Sequence, residues 1–433
     1  MNSDFGLILN LSQIRIPKSA IPNRNMPQTL RVKLNSTVRQ DDLSLENVAR
    51  PLFQPMPDVV LGATDNGDEM IVSVKPTPST FFGTRGGAIL KDGSLWISDT
   101  GHHRLLGWKT IPTEDNADAD FVIGQPDFYH EGRNAKAEVN AHSLNVPTGV
   151  TACGNGLAVA DAWNHRVLIW FETPTKNNQP ADIVLGQADF STGESNRGSD
   201  LPTAESLFWC YGVYWDGANL WVADTGNRRV LMWKGLPTEN GQKADLVLGQ
   251  NNFNLRDENG GTEPNATSMR WAHGVCFWRE KLCVTDAGNN RVMIWNNIPT
   301  ETNQPCDVVL GQKDFTLVDH NQTNYFPISA GLNMPYGITS VGDWLIVADT
   351  ASSRLLGWHI DDCQNGTAAK LLAGQYTFQD KGDNRWAMPM RDSLCWSYGI
   401  YAGGETVLVC DSGNSRAMLW KVSDEVKKKL AAD

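Results

Sequence analysis

The sequence predicts an all-β fold made of six copies of one small antiparallel sheet, and three observations carry that expectation. A ten-residue phrase that begins with Asp, has Arg five residues on and ends in Trp occurs at 99–108, 161–170, 224–233, 286–295, 349–358 and 411–420. Its starts lie 62, 63, 62, 63 and 62 residues apart, and a fixed period seen six times marks a repeat architecture. Runs such as Val230-Leu231-Met232-Trp233 and Val167-Leu168-Ile169-Trp170 are apolar at both parities, so the strands they form are buried on both faces. Small four-stranded sheets covered on both sides and repeated in a ring make a six-bladed β-propeller.

Taken in order, residues 1–55 are an N-terminal arm. Pro17, Pro22, Pro27, Pro51 and Pro55 interrupt them, no helical period appears, and short strands are expected at 7–9 and 30–34. Residues 58–62, Asp-Val-Val-Leu-Gly, copy the last phrase of a repeat with no first three strands before them. After Trp420 the matching last phrase is missing. The two deficits complement each other. An open ring would leave a strand edge that templates aggregation, so 58–62 is expected as the outer strand of the sixth blade. The propeller then spans 56–421, and 422–433 form a Lys-rich tail expected as a solvated or frayed helix.

Within each repeat a Gly stands twelve residues before the Asp: Gly87, Gly149, Gly212, Gly274, Gly337 and Gly399. A strand, a turn and a second strand lead to the Asp. A polar turn, the Arg-to-Trp strand, a turn fixed by Pro112, Pro174, Pro237 or Pro299, and an apolar run ending in Gly-Gln follow. An Asp opening a polar turn accepts backbone N–H groups about two residues on. The six copies are therefore assigned to turn-building, with each Arg pairing to its Asp or to a neighbouring blade.

The phrases Pro147-Thr-Gly149, Val159-Ala-Asp161 with Asn164-His165-Arg166, and Val222-Ala-Asp224 with Asn227-Arg228-Arg229 resemble NHL repeats. Repeats five and six depart, with Ser352-Ser353 and Ser415 in the turn. The resemblance covers most of the chain and implies a six-bladed propeller. It leaves function broad, since such propellers include RNA-binding modules, sensor domains, scaffolds and a zinc lyase.

The net charge of −12 argues against phosphate-backbone binding as the main task, so nucleic acid is not the expected partner. No apolar run approaches the roughly 20 residues of a membrane span, and the start of the chain lacks the basic region of a signal peptide. The protein is read as cytoplasmic, with its eight Cys as reduced thiols. Cys276 and Cys283 are expected to face each other across a hairpin.

Function is sought where the repeats differ. The position before the marker Gly reads Gly86, Thr148, Tyr211, His273, Tyr336 and Tyr398, and two residues earlier stand Thr84, Val146, Trp209, Trp271, Met334 and Trp396. Arg85 is expected beside a gap left by Gly86. Two readings of this channel mouth are open: an aromatic plug, or a concave pocket that binds a ligand through Arg85, Tyr211, His273, Tyr336, Tyr398, Trp209, Trp271 and Trp396. Catalytic zinc takes three protein ligands and an open position, and only His273 supplies a His to the ring, so neither metal nor cofactor is expected. A Cys210–His273 thiol–imidazole pair is a further candidate. The expected function is a non-catalytic interaction or scaffold protein whose mouth binds a protein partner or small ligand, with a larger enzyme complex among the possible partners. The alternative is a propeller lyase or hydrolase with its site at the same mouth.

Overall fold

Each repeat folds as the turn residues dictate. In blade two the strands Pro147–Cys153, Gly156–Asp161, Arg166–Trp170 and Ile183–Leu185 lie antiparallel in sequence order. The structure, a computed structural model, describes residues 7–10, 29–32, 49–66 and 69–430. Six such four-stranded units make the ring. Their inner strands are Gly86–Ile89, Pro147–Cys153, Cys210–Trp215, Ala272–Trp278, Pro335–Val341 and Ser397–Gly403. The apolar core lies between blades: Val167 and Ile169 of blade two share a cluster with Leu220, Val222 and Leu231 of blade three.

The ring closes as expected. Val59–Leu61 pairs antiparallel with Arg416–Lys421, matching Leu61 with Ala417, Val60 with Met418 and Val59 with Leu419. The chain ahead of it also packs on the ring. Arg50–Pro51 adds a parallel strand to the outer edge of blade five, and Leu52 and Phe53 are buried. At the other end the helix Asp424–Leu430 is not wholly solvated, because Val426 is fully buried. Contacts divide the chain into units 1–48 and 49–433. In the first, Leu7–Asn10 pairs antiparallel with Thr29–Val32, close to the two strands expected there.

The repeat Asp does more than build its own turn. Its Oδ1 accepts a backbone N–H from the loop that enters the inner strand, sixteen residues back in five blades: Asn145 to Asp161 at 2.6 Å and Phe208 to Asp224 at 2.7 Å are examples. Its Oδ2 takes the Arg Nε at 2.6–3.0 Å in all six blades. In blades one to five the other Arg nitrogens bond to backbone carbonyls of surrounding loops, as Arg229 does to Phe253, Thr203 and Ser206, whereas in blade six only Arg416 Nη2 does so, to Ser393. Both partners are completely buried. The pair thus clamps three separated segments, and the following three residues form a short 3-10 turn without a side-chain cap. The Asp does build its turn, since Oδ2 also contacts the side chain three residues on in five blades, as with Asn227 at 2.8 Å. The backbone N–H it accepts, however, comes from the distant loop and not from the turn, because the carboxylate faces inward where longer-range N–H groups need acceptors. The Cys276–Cys283 pairing holds in the strand register, and the eight Cys are free thiols.

Candidate functional site

The axis is narrow because inner strands nearly touch there. A Cβ on Gly149, Gly274 or Gly337 would lie within about 2.6 Å of the carbonyl oxygen of Tyr211, Tyr336 or Tyr398 in the next blade. Gly212 faces the His273 oxygen, Gly399 the Arg85 oxygen and Gly86 the Thr148 oxygen in the same way. Each residue whose carbonyl meets the preceding blade's glycine is a ring residue. The ring is therefore Arg85, Thr148, Tyr211, His273, Tyr336 and Tyr398.

This corrects the expected gap at Gly86. Blade one pairs Gly86 with Ser98 and Ile89 with Leu95 without the bulge seen at the same point in the other blades. Its strands are shorter and its hairpin loop, residues 90–94, is longer, for a net gain of one residue before Asp99. Counting back from the Asp therefore lands one position late, and Arg85 takes the ring place. Backbone geometry agrees. Gly83, two before Arg85, has φ of 61°, as Val146, Trp209, Met334 and Trp396, each two before its ring residue, have φ of 51–55°.

The ring side chains form a continuous arc. Tyr211 stacks on His273 at 4.6 Å between centroids, His273 on Tyr336 at 4.2 Å and Tyr336 on Tyr398 at 4.5 Å. Arg85 then lies over Tyr398 at 4.6 Å and reaches Tyr211 at 5.9 Å, its Nη1 3.5 Å from the Tyr211 hydroxyl. It passes the small Thr148, whose hydroxyl turns back to the Tyr211 carbonyl at 2.9 Å. Such stacks and cation–π contacts contribute on the order of 1 kcal/mol each. The ring residues share the wall of a cavity of about 90 Å³ that continues along the inner strands to Thr151, Tyr214, Thr339 and Tyr401, well under the several hundred of a drug-sized site. The stacked rings form part of the cavity wall.

Burial shifts three ring groups, His273, Tyr211 and Tyr336, away from titration near neutral pH. Burial drives the His273 imidazole down to about 3, with a further push from Arg85, and the Trp271 backbone does not offset it. Its Nδ1 is enclosed with no hydrogen bond of ordinary geometry. Burial raises the Tyr211 and Tyr336 hydroxyls, more than Arg85 lowers them. At neutral pH His273, Tyr211 and Tyr336 are accordingly uncharged beside the Arg85 guanidinium. Cys210 makes no pair with His273. Its thiol donates to the Arg166 carbonyl at 3.2 Å, and burial pushes it well up.

The structure brings Arg85, Tyr211, His273, Tyr336 and Tyr398 together around the cavity. Trp209, Trp271 and Trp396 stand outside its wall as a rim; Trp209 and Trp271 are 40% and 41% exposed. Side-chain acceptors on the preceding blade hold the rim backbone. His165 Nδ1 takes the Trp209 N–H at 3.1 Å, Asn290 takes that of Met334 at 2.8 Å and Ser353 that of Trp396 at 3.2 Å. Arg228, at the same turn position before Trp271, has no acceptor. The Trp271 N–H accordingly goes to Asp286 at 3.1 Å, and Trp271 is absent from the left-handed set. Trp163 is not among the expected site residues, yet it lies close enough to Tyr211 to lower its hydroxyl slightly against the upward effect of burial. The signal was legible, since the other repeats carry Gly or Ala at that turn position. Among the described residues no three His, Cys, Asp or Glu side chains gather as metal ligands, and no helix is long and apolar enough to cross a membrane.

Comparison with known proteins reports on fold. The family model described as "NHL repeat" matches residues 144–170, the segment from the loop ahead of Pro147 to Trp170. No curated protein matches the sequence. Among solved structures, the chain is similar to a protein of unknown function from Bacteroides thetaiotaomicron (12% identity, 85% of this chain and 75% of that one, TM-score 0.46). It is also similar to virginiamycin B lyase from Staphylococcus aureus (11%, 80% and 98%, TM-score 0.41) and to BamB from Moraxella catarrhalis (11%, 86% and 98%, TM-score 0.38).

Proposed function

We propose, from a six-bladed β-propeller that carries an NHL repeat, a non-catalytic interaction or scaffold protein that binds a protein partner or small ligand at its channel mouth. The observation that supports this most is the burial of His273, Tyr211 and Tyr336 in one stacked arc. General acid–base catalysis favours groups that titrate near the working pH, whereas burial holds His273 neutral and keeps Tyr211 and Tyr336 protonated. These groups are suited to holding a ligand. The exposed Trp209 and Trp271 beside Trp396 add the aromatic surface typical of binding faces. In this reading residues 56–421 are the binding body, and the 1–55 arm and 422–433 tail are accessory to it.

The test is purification of the full chain from its native host beside a Trp209→Ala, Trp271→Ala double variant. The wild type is expected to carry a stoichiometric ligand or partner, and the variant to lose it at equal yield and melting temperature. Retention by the variant, or turnover of a substrate by the purified wild type, would overturn the reading.

A further inference from the structure

We infer that the mouth is a carboxylate receptor: Arg85 seats the carboxylate of a small organic acid inside the Tyr211–His273–Tyr336–Tyr398 arc, and the apolar body of the acid leaves between the rim tryptophans. The inference rests on the proposed mouth-binding function and narrows its ligand class.

Charge is the first argument. The six repeat arginines each pair with a carboxylate, and the half-buried Arg197, Arg385 and Arg391 pair with Glu205, Asp392 and Asp115. Among the described residues Arg85, like the half-buried Arg228 and Arg256, has no carboxylate within ion-pair distance; those two bond to backbone carbonyls, whereas the side-chain hydrogen bond of Arg85 is the 3.5 Å contact to Tyr211. A guanidinium has five N–H donors in a planar fork that matches a carboxylate. Holding it partly out of water without a counter-ion is costly, and an incoming anion relieves that cost.

The surroundings and the space argue the same way. No Asp or Glu lines the cavity, so nothing there repels an anion. The single cation balances one negative charge, which a carboxylate carries and a dianionic phosphate exceeds. About 90 Å³ admits a carboxylate with little more, so the rest of the ligand must lie outside. The inference places it against the rim, where Trp209 and Trp271 are exposed. The enclosed His273 Nδ1, with no hydrogen bond of ordinary geometry, is a second poorly met polar group at the same wall.

The experiment titrates the full chain with acetate, benzoate and 3-phenylpropanoate, following tryptophan fluorescence and calorimetry. Benzamide, 3-phenylpropanamide and inorganic phosphate run as controls. At least one aryl acid is expected to bind at one site, ten-fold or more tighter than its amide and than phosphate. Arg85→Gln should remove that preference, with acid and amide binding alike, and Arg85→Lys should keep part of it. If Arg85→Gln folds poorly, the Arg85→Lys comparison and the acid-to-amide ratio in the wild type carry the test. A short apolar peptide as free acid and as amide separates the sources. A peptide acid that matches the small acids assigns the carboxylate to a polypeptide C-terminus with the Arg85 contact intact.

Equal binding of acids and amides, phosphate binding tighter than every acid, or no binding by any acid would each overturn the carboxylate inference. The broader reading is judged separately. If no acid binds but the Trp209→Ala, Trp271→Ala variant loses its native partner, the mouth remains the binding face and only the carboxylate seat is wrong.

Discussion

Asp224 shows how far a residue's role exceeds its local turn. Read from sequence, its removal should cost about 1 kcal/mol, the loss of a turn cap. In the fold its Oδ2 holds Arg229 Nε at 2.7 Å and its Oδ1 holds the Phe208 N–H at 2.7 Å, with both side chains fully buried. Asp224→Ala strands a buried guanidinium, so about 3–5 kcal/mol is expected, read as a shift in the urea midpoint at unchanged m-value. Whatever binds the mouth should bind the folded variant as before. Histidines give a pH prediction. Burial lowers His165 to about 4 and His273 to about 3, below an unfolded value of about 6.5. Between those limits the unfolded chain binds more protons, so their stabilisation is complete above pH 6.5 and is lost as pH falls toward 4 and then 3. The slope is at most about 1.4 kcal/mol per pH unit for each. His165→Asn keeps the acceptor role that Asn290 plays in blade four, and His273→Tyr continues the stack. The double variant should flatten the acid limb of a stability–pH curve; an unchanged limb would show that other groups govern it.

At the scale of elements, the inner strands set the site by how closely they approach. Gly337→Ala drives a Cβ to 2.6 Å from the Tyr398 carbonyl, and that backbone cannot yield without spreading blades five and six. A loss of about 1–3 kcal/mol is expected, together with weaker binding because Tyr336 and Tyr398 no longer sit 4.5 Å apart. Tyr336→Phe is the contrast. It preserves the stack and deletes one hydroxyl, so it should melt near the wild type yet bind the mouth ligand more weakly. Equal binding by Tyr336→Phe would remove that hydroxyl from the site. The same scale explains where sequence counting slipped. Gly86 and Gly87 are adjacent, and a period anchored on Asp99 chose the second. The strand pairing, which lacks a bulge in blade one, and the approach of Gly399 to the Arg85 carbonyl show that Arg85 stands in the ring.

For the whole molecule, closure is the governing feature. Deleting residues 1–64 removes Val59–Leu61 from blade six and Arg50–Pro51 from blade five, exposing two sheet edges. Aggregation or loss of a single cooperative transition is expected; a soluble deletion with an unchanged melting curve would refute the closure mechanism. Trimming 423–433 looked harmless from a Lys-rich sequence. Val426 is buried, the Ser423 N–H bonds to the Leu52 carbonyl at 3.0 Å, and Phe53 pairs with Val422, so the trim should lower the melting temperature measurably.

The sequence by itself determined the blade count, the strand order within a blade, the inter-blade burial and the closing strand. All four follow from periodicity and from apolar runs at both parities, which a chain carries locally. It also marked Tyr211, His273, Tyr336 and Tyr398 as one set, because a repeat places equal positions at equal heights on the axis. Tertiary structure alone decided that Arg85 joins them, that Trp209, Trp271 and Trp396 form a rim outside the cavity, and that each repeat Asp clamps loops sixteen or seventeen residues away. Those outcomes depend on a one-residue register difference and on which N–H groups are left without acceptors when six sheets meet, and neither is a property of any single repeat.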